Sequence, residues 1–214
     1  LPAEVASNVE NATDILVLRR ANLTGIQLAA EMASNQADVD LVDQASYPFS
    51  VNDVTIISDC LQATLFKITG LTSSGVVSHA IGSGFGNLSD ALTTDGSVFG
   101  ADAELYPIES HIFYIADSAA TNQQGDTPLS LWRKIGDDSA TELLSGVSDL
   151  QLLYGEDTDA DGVPNRYVQA KDADMDNVIT VQFTLTVNSI DPENSGSLIQ
   201  KDFSNTVKLR NRGA

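Results

Sequence analysis

The sequence holds a single cysteine, Cys60, so no disulfide can close within it. Its only histidines are His79 and His111, and neither has a plausible chemical neighbour in sequence. Cys60 therefore reads as a buried, inert thiol, and His111 as a hydrogen-bonded structural residue. There is one tryptophan, and aromatic residues make up 6%, which argues against a sugar-stacking cleft. Basic residues are scarce, 11 against 30 acids, for a formal net charge of −19. That balance repels nucleic-acid phosphates and anionic lipid, so no nucleic-acid partner is expected. It suits cation binding, or a surface that stays soluble in salt water. No run approaches the roughly 20 apolar residues of a membrane helix, and no signal peptide is visible. Leu1 is not an initiator methionine, so the sequence reads as starting after a removed segment. No Ser/His/Asp order, HExxH or CxxC occurs, and no enzyme is expected. Paired carboxylates alone leave a glycosidase open by residue type.

What is present is enough for a core. The 214 residues are 42% hydrophobic and read as one globular domain, residues 1–214. Asp14 to Arg20 reads as a buried strand, and Ile26 to Met32 as a strand or one to two helical turns. Val54 to Ser58, Leu65 to Thr69 and Val76 to Ile81 are short strand candidates, with a corner at Asp59, Cys60 and Gln62. Residues 82–102 read as a long loop, functional or mobile. Its GSGFG start at Gly82 lacks the third glycine and the following Lys of phosphate loops. Leu105 to Asp117 is the central strand, apolar on both faces, and pairs antiparallel with Leu129 to Ile135. Val178 to Asn188 alternates strictly, with Ile179, Val181, Phe183, Leu185 and Val187 on one face. Phe203 to Leu209 closes the chain as a last strand. Many short strands without βαβ alternation predict a mainly antiparallel β or an α+β domain, and the class expected is α+β, predominantly antiparallel β.

The densest chemistry lies between Tyr154 and Asn177. Asp157, Asp159 and Asp161 recur at every second position, followed by Gly162. Hard cations take several oxygens, and a glycine allows the sharp reversal that turns alternate side chains toward one point. The carbonyl of Val163 and the side chain of Asn165 could extend the shell. Val168 stands where an EF-hand loop has its bidentate glutamate. Asp172 or Asp174 from the following acidic run could supply the missing ligand. Two readings stay open: a structural calcium site, or a solvated acidic hairpin screened by salt.

The same stretch resembles the PilW family of type IV pilus minor pilins. The resemblance rests on Glu142-Leu143-Leu144, Gly146-Val147, the run Leu150 to Leu153, Tyr154-Gly155, the acidic turn, and Arg166-Tyr167. Asp14 to Arg20 and the ending Val207 to Arg212 add to it. It implies a pilin-like globular domain with two small antiparallel sheets, cut from a basic leader and a long hydrophobic helix. The implied function is structural: a minor pilin that helps initiate pilus assembly in a tip-located minor-pilin complex. Implied partners are other minor pilins and a tip adhesin, with the membrane reached only through the absent helix. The implied location is the inner membrane and periplasm of a Gram-negative bacterium before assembly, and the surface pilus after it. The J pseudopilin of type II secretion has a similar layout and is an alternative. A calcium-dependent extracellular adhesion or carbohydrate-binding domain is another, on the strength of the acidic loop.

Overall fold

The computed structural model describes residues 5, 9–82, 86–136, 138–192 and 196–210. Their elements run in the order β1 (Leu16–Ala21), β2 (Ile26–Gln27), β3 (Val39–Asp40), β4 (Val54–Ser58), β5 (Ala63–Lys67), β6 (Gly70–Leu71) and β7 (Val76–Ser78). Then follow β8 (Glu104–Asp117), β9 (Leu129–Ile135), β10 (Thr141–Ser145), β11 (Val147–Glu156), β12 (Arg166–Val168), β13 (Val178–Asn188) and β14 (Gln200–Lys208). The one helical element among the described residues is a 3-10 turn, Ala170–Asp172.

The α+β expectation is thereby corrected: the fold is nearly all β, in three antiparallel sheets instead of two. The physical reason is visible at Ile26 to Met32, the ambiguous segment. There only Ile26–Gln27 is extended, and Leu28 and Met32 then enter the core from irregular backbone. Buried residues sit at isolated points between turns, so no face repeats at the 3.6-residue period a helix needs.

The chain forms two compact units. The first comprises Leu1–Leu18 and His111–Ala214, the second Arg19–Ser110. Strand β8 gives its first half to the second unit and its second half to the first.

In the first unit, β8 from His111 onward pairs with β9, and β9 with β10. A separate sheet has the order β12-β11-β13-β14. Leu150, Leu152 and Tyr154 of β11 lie opposite Leu185, Phe183 and Val181 of β13, so one face of this sheet is apolar. Buried Ile115, Val147, Leu150 and Leu152 form the core there, with Leu129, Leu131 and Phe183 packed against it. The other face carries Thr180, which is buried, and Gln182, Thr184 and Thr186, which are half-buried. The one-sided alternation of β13 is what lets one face pack while most of the other keeps contact with water. A smaller cluster gathers Ile112, Tyr114 and Ala116 of β8, with half-buried Trp132 against them.

In the second unit, β4 pairs with β5 and with the start of β8, and β2 also pairs with β8. Strands β3, β7 and β6 make a third sheet. The core joins Ile57, Phe66, Val77 and Leu105 of the strands to Leu28, Met32, Ile68, Leu92, Phe99 and Ala103, which lie outside them. Residues 86–102 are therefore no free loop, since Leu92 and Phe99 are buried. His79 is buried in this unit: its Nε2 donates to Ala37 O at 2.8 Å, and its ring meets Phe66 edge-on. Cys60 departs from expectation. It is exposed, in the turn after β4, with a positive φ of 69°.

Candidate functional site

The acidic stretch is a hairpin between β11 and β12 with a second loop leading into β13. Antiparallel pairing sets Tyr154 opposite Val168, Gly155 opposite Tyr167, and Glu156 opposite Arg166. Gly155 is required by space: a Cβ there would collide with Thr180 Oγ1 and lie 2.9 Å from Tyr167 Cε1 and 3.1 Å from Pro164 Cβ. The Tyr-Gly step thus lets β12 and its turn close down on β13.

Glu156 is fully buried. Its carboxylate accepts the backbone N–H of Asp174 at 2.6 Å and the Arg166 Nε–H at 2.6 Å. Those two donors hold its carboxyl below the usual carboxylate range against the opposing effect of burial. Glu156 therefore ties the start of β12 to the second acidic loop. Its place in sequence, an acid closing a strand ten residues before an arginine, was the available signal.

Asp157 is also buried, and burial works to raise its pKa. The backbone N–H groups of Gly162, Ala160 and Asp161 outweigh that and hold it below the usual range. Gly162 N donates to Asp157 Oδ2 at 2.7 Å, and Val163 N to Asp161 Oδ1 at 2.8 Å. Ala160 and Gly162 both have positive φ, 61° and 83°, which produces the reversal expected of the glycine.

The turn brings Asp157, Asp159 and Asp161 together, with one carboxylate oxygen of each within 4.8 Å of the others. Asp159 and Asp161 are exposed. The remaining residues singled out from sequence stand otherwise. The Asn165 side-chain oxygen accepts from Thr158 N at 2.6 Å and Thr158 Oγ1 at 3.0 Å. Val163 is exposed. Asp174 accepts from Asp176 N and from Asn177 Nδ2, closing its own loop. Asp172 is on the 3-10 turn, 3.2 Å from Lys171 Nζ, and neither Asp172 nor Asp174 joins the three-carboxylate group. Chemically, three close carboxylates suit a hard divalent cation. The loop also supplies its own neutralising dipoles through the N–H groups aimed at Asp157.

A second polar centre lies in the same unit. Glu142 accepts hydroxyl bonds from Ser118, Ser130 and Ser145 at 2.7, 2.6 and 2.7 Å, and the N–H of Ala119 at 3.0 Å. The three hydroxyls bring its pKa down to about 2. It joins the β8–β9 connection to β10. Sequence reading used Glu142 as part of a pattern and missed this role.

Residues 112–202 match the model of the PilW family, Type IV Pilus-assembly protein W. The match lies wholly within the first unit and covers Glu142, the β11–β12 hairpin and the β13 ladder. It thus includes the stretch that carries the PilW resemblance. Arg19–Ser110 lies outside it. No curated protein and no solved structure gives a significant match. Among the described residues no helix is long and apolar enough to cross a membrane.

Proposed function

We propose that the chain is a non-enzymatic structural subunit of a type IV pilus, a minor pilin that helps initiate assembly in a complex at the pilus tip. The match to PilW over residues 112–202 carries this reading, since it implies a part in type IV pilus assembly. The chemistry of the site agrees with a structural role. The strongest polar centres, Glu142 and Glu156, spend their oxygens on joining strands and loops. The partners are then other minor pilins and a tip-carried adhesin, met after export.

The test is co-expression of the full-length protein with the other minor pilins of its own organism, followed by affinity purification and mass spectrometry. Stoichiometric recovery of those subunits, with loss of surface pili on gene deletion, is the expected result. Normal piliation in the deletion strain, together with no recovered pilin, would sink the reading.

A structural calcium on Asp157, Asp159 and Asp161 is a further part of the proposal, favoured by the 4.8 Å grouping of their oxygens. It would pin the hairpin without chemistry of its own. Calorimetric titration checks it: binding heat in the millimolar calcium range, abolished by Asp159→Ala, is expected. The absence of heat, with no calcium-dependent rise in melting temperature, refutes it. A calcium-dependent adhesion module would show, in addition, calcium-dependent binding on a glycan array.

A further inference from the structure

Strand β14 is the outer strand of the β12-β11-β13-β14 sheet, and all nine of its residues are exposed. It pairs in unbroken register with β13, from Thr180 opposite Lys208 to Asn188 opposite Gln200. Among the described residues nothing pairs with its other edge. The opposite side of the sheet is finished differently. There β11 is partly covered by the short β12, and further along Asp14 takes its edge, donating N–H to Leu150 O and accepting Leu152 N–H on its carboxylate. A long, bulge-free edge such as β14 is a template for another strand.

The outward groups can be named. Leu209 N donates to Ile179 O, and Ser189 N to Ile199 O, so odd-numbered positions bond to β13. By the alternation of an antiparallel ladder, Gln200, Asp202, Ser204, Thr206 and Lys208 turn their N–H and C=O groups outward. The Thr206 N–H is held by its neighbour's Asn205 Oδ1 at 2.8 Å, a local substitute for a strand partner. Phe203 and Val207 are each 50% exposed, and Lys201 Nζ lies 4.9 Å over the Phe203 ring. That lysine is folded onto its own strand.

We propose that β14 is a self-docking edge: two copies of this chain pair β14 to β14, antiparallel, with Asp202 opposite Lys208 and Phe203 opposite Val207. The same register sets Ser204 opposite Thr206 and Asn205 opposite its own symmetry mate. Opposite charges, apolar side chains and hydroxyls each face their like complement, and the two-fold axis makes every such pair occur twice. A slip of two residues either way sets Lys201 or Asn205 against Val207. A slip of one residue turns the outward groups away from each other. The register supplies about eight new backbone hydrogen bonds from its four outward-facing pairs. Asp202 and the two lysines also keep this edge from sharing the acidic excess of the chain, whose net charge is −19. The pairing stands independently of the pilus reading.

Sedimentation equilibrium over a concentration series into the millimolar range, in physiological salt, reads the association. A reversible dimer is expected. Asp202→Lys puts like charges opposite each other twice and should weaken the dimer roughly tenfold. The double variant Asp202→Lys with Lys208→Asp restores the opposition and should restore the dimer. Thr206→Pro removes an outward N–H but no backbone bond to β13, only the long 3.4 Å bond that Gln182 Nε2 donates to the Thr206 hydroxyl, and should abolish dimerisation with the monomer's thermal transition retained. A chain that stays monomeric throughout overturns the proposal and leaves the edge to a strand of another protein. A dimer indifferent to Thr206→Pro, or not rescued by the charge swap, overturns it equally.

Discussion

The two units of the molecule reach a buried core by different means. In Leu1–Leu18 with His111–Ala214, long strands do the work: β11 and β13 run side by side from Val147 opposite Val187 to Glu156 opposite Val178. In Arg19–Ser110, apart from β8, strands are two to six residues long, and irregular segments carry Leu28, Met32, Leu92 and Phe99 into the core. Buried backbone groups must find partners in either case. The ladder supplies them through main-chain pairing that any alternating sequence can satisfy. The second unit supplies many of them from single side chains. Thr64 Oγ1 donates to Leu92 O, Thr93 Oγ1 to Ser97 O, and Asn35 Nδ2 to Thr93 O. Robustness to substitution should differ accordingly.

The sharpest attempt to break that contrast is Asn87→Ala. Asn87 is buried, accepts Lys67 N–H at 2.7 Å and donates to the carbonyls of Lys67, His79 and Ala80. Its loss leaves several main-chain groups unpaired and should cost about 3 kcal/mol. Urea unfolding measures the total, and hydrogen exchange locates it. Protection should fall across Arg19–Ser110 while the β11–β13 amides keep theirs. Equal loss in both units would show that the division has no energetic content.

The ladder unit should yield at a point where it depends on the lack of a side chain. Gly155→Ala places a methyl against Thr180, Tyr167 and Pro164, in the closest approach of the hairpin. Overpacking there should cost about 2 kcal/mol and lower the melting temperature by several degrees. Thr184→Val, on the wet face of the same ladder, serves as the control and should move stability by no more than about 0.5 kcal/mol. If the two variants melt alike, Gly155 is no constraint.

The same contrast explains what was legible in the sequence. Val178–Asn188 was readable to the residue, because period-two alternation over eleven positions has no competing interpretation, and Leu129–Ile135 because turn residues bound a short apolar run on both sides. Strands of two residues, such as Val39–Asp40, carry no period at all. Phe99 and Leu92 sit among Gly, Ser and Asp, a composition that reads as a solvated loop. Such a segment is held inside by the side-chain bonds of Asn35, Thr64 and Thr93 and by the backbone bonds from Leu92 N to Asn35 O and from Met32 N to Phe99 O, none of which its composition signals. The α+β expectation fails for a related reason: among the described residues, apolar positions outside the long strands, such as Leu28 and Met32, have no face that repeats at the helical period. In the acidic hairpin, the spacing of Asp157, Asp159 and Asp161 did indicate that they converge. It did not indicate that Asn165 would turn to Thr158, nor that Glu156 would be the buried anchor. Those outcomes depend on which backbone N–H groups the turn leaves pointing inward.

The smallest expected loss, the Thr184→Val control apart, concerns Glu142, the place where the ladder unit borrows the other unit's method. Three serine hydroxyls, one of them on fully buried Ser130, converge on this carboxylate and lower its pKa from 4.5 to about 2. The folded-state value is the lower one, so the folded protein binds this proton more weakly than the unfolded chain does. The contribution to stability is then complete above about pH 4.5 and shrinks as the pH falls toward 2. With solvent screening of a partly exposed group, Glu142→Gln should cost about 1 kcal/mol at neutral pH. Urea melts of both proteins at a series of pH values give the difference directly. It should be largest at neutral pH, narrow as the pH falls toward 2 and close below that, because protonation converts the wild-type side chain to a neutral acid much like the amide. A difference that stays constant across the range would mean that the serines need only an oxygen acceptor and that the charge on Glu142 adds nothing to the joint between β10 and the β8–β9 connection.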